Sequence, residues 1–189
     1  MLNYFKVIEI LISLQSIYIS TMIPVFVSIK ESNKLFQSLE IPITWQIPTI
    51  ILLSLIFKRK VVYIAFSIYL FLGLFIIPIF HQGGSLGYLL TPNFGYLIGI
   101  YPLIIKIDKL NKKKKIQISE FIKSGVLGIT AMHLTGILYT LLLMLVYNQL
   151  STFLYNLSIY SLGKIGYHFL MLIPLYLLIK PIKYSRYKQ

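Results

Sequence analysis

The chain has 189 residues, of which 57% are hydrophobic and only 12% charged, with a mean hydropathy of +0.80. Soluble domains carry about a quarter of their residues as charged groups, so this composition excludes one and indicates an integral membrane protein. The 18 Lys and Arg against 5 Asp and Glu do not point to a nucleic acid: in so apolar a chain such an excess marks cytoplasmic loops, and no basic and aromatic interleaving accompanies it.

A transmembrane helix needs about 20 predominantly apolar residues. Cutting the apolar runs at charges and turn residues leaves six candidates, 7–29, 41–57, 61–80, 88–105, 121–147 and 159–179. The expected fold is therefore all-α, a single membrane domain over 1–189 built from six transmembrane helices. The first run follows Lys6 but is too long for a signal peptide and lacks a small-residue cleavage site, so it reads as a retained helix. Its Ser13, Ser16 and Ser20 allow close approach of another helix, from within the bundle or from a partner. The second run is short and carries Pro42 and Pro48, which predicts an oblique entry or irregular backbone at its start.

Between the third and fourth runs stands HQGGSLGYLLTPNFGYLIG, residues 81–99, with five glycines among nineteen positions. Its first part, 81–87, reads as a mobile lid loop, and Pro92 with Asn93 marks a break at membrane depth. A basic loop at 106–118 follows, containing NKKKK at 111–115; it is a solvated cytoplasmic loop that also suits anionic headgroups. On the fifth helix Thr130, His133, Gly136, Thr140, Met144 and Tyr147 recur at steps of three or four and share a face. On the sixth, Tyr160, Gly163, Lys164, Tyr167 and His168 do the same. An interhelical hydrogen bond beside Gly136 accounts for His133. Lys164 either snorkels to the outer headgroups or, beside His168, holds a ligand carboxylate.

With six spans, both termini and the loops after the second and fourth helices lie on one side. That side holds fifteen Lys and Arg, against Lys30 and Lys34 on the other, with Lys164 left over. The positive-inside rule then makes both termini cytoplasmic and residues 81–87 external.

Several chemistries are missing. There are no cysteines, hence no disulfides, thiolate zinc sites or thiol nucleophiles. No Gly-x-x-x-x-Gly-Lys-Ser/Thr run exists, and in SLGKIG (161–166) the Gly-Lys is followed by Ile165, which cannot ligate magnesium. His81, His133 and His168 sit on different segments, so neither a metal nor another cofactor is expected. No acid pair lies within the spans to drive proton coupling or hydrolysis.

IPITWQ (41–46), GLFIIPIF (73–80), GGSLGYLL and TPNFGYLIG follow one another in an order that resembles the BioY family, the biotin-binding S components of energy-coupling-factor vitamin transporters. HLTGILY (133–139) and LGKIG (162–166) resemble it more weakly. The resemblance implies a small cell-membrane protein, not an enzyme, that captures biotin from outside in a cavity closed partly by the loop between the third and fourth helices. A transmembrane scaffold subunit and ATPase subunits would supply the power. Matched position by position, Thr44 and Gln46 fall at the start of the second helix, and Gly84, Gly87, Pro92, Gly95, Tyr96 and Gly99 in the loop and fourth helix. Many members carry an acid and, three positions later, a lysine near the start of the sixth helix; Lys164 and Tyr167 stand there in this chain.

For such a ligand, Gln46, Gln82, Asn93 and Tyr167 are candidates for the ureido ring, and Lys164 or His168 for the carboxylate. Tyr88, Phe94, Tyr96 and Trp45 are candidate walls. Two other functions stay open: an S component for a different small vitamin, and a membrane-embedded enzyme using His133 or His168 as a base. The second lacks an acidic or nucleophilic companion on a neighbouring stripe.

Overall fold

A computed structural model describes residues 4–31, 34–80, 83–113 and 115–186. The chain forms the expected six-helix bundle, with one β-hairpin added. The first helix, α1, is Tyr4–Met22. The hairpin follows as antiparallel strands β1, Pro24–Glu31, and β2, Lys34–Thr44. The second helix, α2, is Gln46–Ile56 and the third, α3, is Arg59–Phe75. The fourth helical segment is a 3₁₀ turn, Leu86–Leu90, then α4, Pro92–Ile98, and α5, Ile100–Asn111. The fifth, α6, is Ile118–Val146. The sixth runs through α7, Phe153–Leu157, a π turn at Ser158–Leu162, α8, Gly163–Leu170, and α9, Leu172–Arg186.

The hairpin corrects two predicted spans. The first helix stops at Met22, not residue 29, and residues 41–44 are strand, not the start of a helix. Ile41, Ile43 and Thr44 are β-branched, which disfavours a helical turn and suits a pleated strand. Pro42, with no amide hydrogen, ends the room for a helix from the other direction. Trp45 donates its N–H to Ile23 O at 3.0 Å and closes the hairpin onto the bundle. The predicted basic loop at 106–118 is also shorter than expected, because α5 continues to Asn111.

Three helical stretches are long and apolar enough to cross a membrane: Tyr4–Met22, Ile118–Val146 and Leu150–Pro181. On α6 the two faces differ in kind. Leu134, Leu138, Leu142 and Leu145 are exposed, whereas Gly125, Gly128, Ile129, Met132, His133, Gly136 and Thr140 are buried. An exposed leucine stripe opposite a face of small and polar residues fits a helix with lipid on one side and helices on the other. The buried face of α6 meets α4, α5 and α8. The helix ends in a Schellman arrangement: Asn148 adopts φ 53°, Gln149 N–H donates to Met144 O at 2.8 Å, and Asn148 N–H to Leu145 O at 3.2 Å.

Ser13 and Ser20 of α1 are buried inside this bundle and donate to backbone carbonyls of their own helix, so packing within the molecule uses that spacing. At the basic end, Asn111 Nδ2 donates to Phe57 O and Asp108 Oδ1 accepts the Arg59 N–H at 3.2 Å. A carboxylate from α5 thus caps the N-terminus of α3, where backbone donors and the helix dipole both favour a negative charge. Asp108→Ala should lower stability by about 1 kcal/mol. A thermal midpoint in detergent equal to that of the parent chain would show the cap to be inert. Lys113 and Glu120 form the only ion pair among the described residues.

Candidate functional site

A cavity of about 340 Å³ lies where the hairpin, the start of α2, α4, α6 and α8 meet. Each wall follows from a local feature of the sequence. The end of β2 delivers Ile41, Pro42, Ile43 and Thr44, and the abrupt start of α2 puts Gln46 behind them. The 3₁₀ turn contributes Tyr88, buried with its ring 4.5 Å from that of Phe80. Thr91 is extended and Pro92 occupies the first helical position, where its fixed φ and missing N–H cost nothing. That start sets the phase of α4, so Asn93, Tyr96 and Leu97 reach the cavity.

From α6 come Met132 and His133, and from the last segment Ile159, Tyr160, Lys164 and His168. Tyr160, Lys164 and His168 are four apart and so lie on one helix face.

The polar groups of this cavity have an unusual balance. Gln46 Nε2 and Tyr96 Oη are buried and make no hydrogen bond of normal geometry, although Tyr69 lies near the first and Ser161 and Thr140 near the second. Buried polar atoms are nearly always paired, so two under-satisfied groups in one cavity suit a ligand that completes the bonding. Lys164 is half-buried, with its ammonium 5.6 Å from the centre of the Tyr160 ring. No carboxylate lines the cavity, and none pairs with Lys164 among the described residues. The two histidines form a chain: His133 Nδ1 lies 2.8 Å from Ser161 Oγ, and His133 Nε2 lies 3.1 Å from His168 Nδ1. Tyr96 packs edge-on against the His133 ring at 5.5 Å.

Among the residues expected from sequence to bind ligand, Thr44, Gln46, Tyr88, Asn93, Tyr96, Lys164 and His168 all line this one cavity. Gln82 and His81 lie outside the described residues. The others sit elsewhere. Gly84 packs its backbone against Gly73 and Pro78, and Gly95 packs against the Tyr139 ring. Tyr167 is 39% exposed and outside the lining, because its position falls off the face shared by Tyr160, Lys164 and His168. Trp45 is not a wall, and Phe94 instead meets Tyr139, ring centres 5.8 Å apart.

Two contributors do not follow from the sequence patterns. Ser161 is the partner that His133 needs, and it is carried by the π turn at Ser158–Leu162, which helical periodicity does not reveal. The strand residues 41–43 are walls as well, and their β-branched alternation around Pro42 is the signal that could have found them.

The BioY family model matches residues 8–179. This chain belongs to the BioY family. A relative described as a probable biotin transporter BioY, from Lysinibacillus sphaericus, is 30% identical over 103 residues, covering 52% of this chain and 51% of the relative. That match spans about half the length of each protein. A crystal structure of the S-component for biotin from an ECF-type ABC transporter is 21% identical, with a TM-score of 0.61 and coverage of 95% of both chains. At that identity the likeness is one of fold. Family, fold and the three membrane-length helices make this a multi-pass membrane protein.

Proposed function

We propose that this BioY-family chain is the substrate-binding subunit for biotin uptake, with the cavity between the hairpin, α4, α6 and α8 as its site. The observation that carries the reading is the polar make-up of that cavity: two buried groups without a hydrogen bond of normal geometry, Gln46 Nε2 and Tyr96 Oη, and a cation with no carboxylate partner among the described residues. Biotin is apolar in its bicycle and tail and offers acceptors at both ends, the ureido carbonyl and the carboxylate. Lys164 and His168 suit the carboxylate, Gln46 and Tyr96 the ureido carbonyl, and the oxygens of Thr44 and Asn93 the ureido N–H groups. Tyr88, Ile43 and Leu97 supply apolar walls.

The domain is one six-helix unit over 1–189, with both termini cytoplasmic. The meeting of Arg59 and Asn111 with the α5 and α2 ends supports this topology, since it gathers basic loops at the end away from the cavity. Partners are a transmembrane scaffold subunit and ATPase subunits of an energy-coupling-factor module, and the cycle is a population shift without covalent chemistry. A hydrolytic role gains nothing from the Ser161 and His133 contact, because Ser161 is 1% exposed and not in the cavity lining.

A second reading, an S component for another small carboxylated vitamin, draws on the lining's lack of a carboxylate where many family members carry an acid. Saturable binding of labelled biotin to the detergent-purified chain tests the first reading. Absence of saturation, with saturation by another vitamin of a panel, would replace biotin by that vitamin.

A further inference from the structure

Leu89 stands near the end of the 3₁₀ turn Leu86–Leu90, and its carbonyl gets no 3₁₀ partner from the chain that follows. The residue three positions on is Pro92, which has no N–H, and a proline also drives the residue before it, here Thr91, into extended backbone. A donor comes from another helix: Tyr139 Oη of α6 donates to Leu89 O. The same side chain is wedged against α4. Its ring centre lies 5.8 Å from that of Phe94, and a Cβ added at Gly95 would fall 2.4 Å from its Cβ.

The turn has reason to need such an anchor. Its own bonds run from Tyr88 N–H to Ser85 O at 3.0 Å, and from Thr91 N–H and Oγ1 to Tyr88 O at 3.1 and 2.8 Å. They fix its shape but not its place in the bundle. The chain enters it through Ser85 at φ 149°, a conformation that residues with a side chain avoid and keep only where the surroundings over-determine it. Leu86 and Leu90 are exposed and pack little. What the turn does bury is Tyr88, whose ring lies 4.5 Å from that of Phe80 and lines the cavity. The carbonyl that Tyr139 holds belongs to the very next residue.

We infer that Tyr139 is a positioning residue for the cavity: its hydroxyl, by holding the Leu89 carbonyl, keeps the 3₁₀ turn where Tyr88 forms a wall for the ligand. The inference rests on the vitamin-binding reading for the identity of the ligand, but the tether does not. Tyr139 is not in the cavity lining, so it acts through Tyr88. Without the tether the strain at Ser85 relaxes by moving the turn. The ligand must then order the wall it binds, which costs affinity.

Tyr139→Phe removes the hydroxyl and keeps the ring beside Phe94 and Gly95, so it separates the tether from the packing. The first arm uses ligand-free protein. Because the chain has no cysteines, Leu86→Cys and Leu127→Cys, both at exposed positions, place one spin label on the turn and one on α6. Pulsed dipolar spectroscopy in detergent should give a narrow distance distribution with Tyr139 and a broader or shifted one with Tyr139→Phe. An identical distribution in the two proteins overturns the proposal, as does a broad one with Tyr139 in place.

The second arm is a double-mutant cycle on calorimetric affinity for biotin. Tyr139→Phe should weaken binding by about three- to tenfold, the scale of one hydrogen bond. In a Tyr88→Leu background the same change should cost about twofold at most, since the residue it acts through is gone. A tyrosine that only stabilises the fold loses the same factor in both backgrounds, and equal factors overturn the proposal, as does an unchanged affinity in Tyr139→Phe. Failure of the parent chain to bind biotin removes the earlier reading instead, and the spin-label distances then decide this one.

Discussion

Lys164→Met should weaken biotin binding by about 10- to 100-fold, the range for losing a hydrogen bond to a charged group, and should make the ligand-free protein more resistant to heat. The two effects have one cause. The Lys164 ammonium is half-buried with the Tyr160 ring 5.6 Å away and no carboxylate partner among the described residues. A cation in that setting has given up much of its hydration without a matching charge, and methionine of similar length removes the cost while keeping the packing. When biotin is bound its carboxylate supplies the missing charge, and the sign reverses. Thermal midpoints with and without biotin, alongside calorimetric affinities, separate the contributions. A snorkelling lysine predicts neither change, so an unaltered affinity in Lys164→Met would remove Lys164 from the site.

Much of that site is legible in the sequence, and the limits of legibility have physical reasons. The helical repeat of α6 alone puts His133, Gly136 and Thr140 on one face, since an uninterrupted helix of 29 residues preserves a 3.6-residue period along its length. The sixth segment preserves it only in part. Its π turn at Ser158–Leu162 interrupts the regular helix, and a stripe read at steps of three and four passes over Ser161. A π turn has no compositional signature, which is why periodicity alone does not find it.

The hairpin is hidden for a different reason. Most of β1 and the end of β2 are apolar enough to be counted with the adjoining helices, the residues between them reading as a loop, and a short apolar run does not distinguish strand from helix. The discriminating detail is local: Pro42 between β-branched residues, expected as irregular backbone, is a strand that walls the cavity. Residues 92–96 are legible in part. The expected break at Pro92 and Asn93 within the run 88–105 is the point where the 3₁₀ turn gives way to α4 at Pro92, and that start fixes where Asn93 and Tyr96 face.

The close approach of the fourth segment to α6 leads to the largest expected effect on the fold. A Cβ added at Gly99 would lie 2.5 Å from Met132 O and 2.9 Å from Met132 Cα. Those are backbone atoms of a packed helix and cannot rotate aside, so Gly99→Ala must push the junction of α4 and α5 away from α6, at a cost of about 1–3 kcal/mol. The same displacement separates Tyr96, Leu97 and Ile100 from Met132 and His133, which line the cavity with them, and biotin affinity should fall with stability.

Gly136→Ala provides the contrast. Its Cβ would meet the Tyr96 ring at 2.4–2.5 Å, a side chain that can turn. The obstruction is therefore relieved by moving Tyr96 within the cavity, and affinity should fall more than the thermal midpoint does. Measuring both quantities for both variants gives four numbers with a required order. Gly99→Ala melting with the parent chain would mean that the helices do not approach as closely as their backbones indicate, and Gly136→Ala binding with parent affinity would mean that Tyr96 does not bound the site.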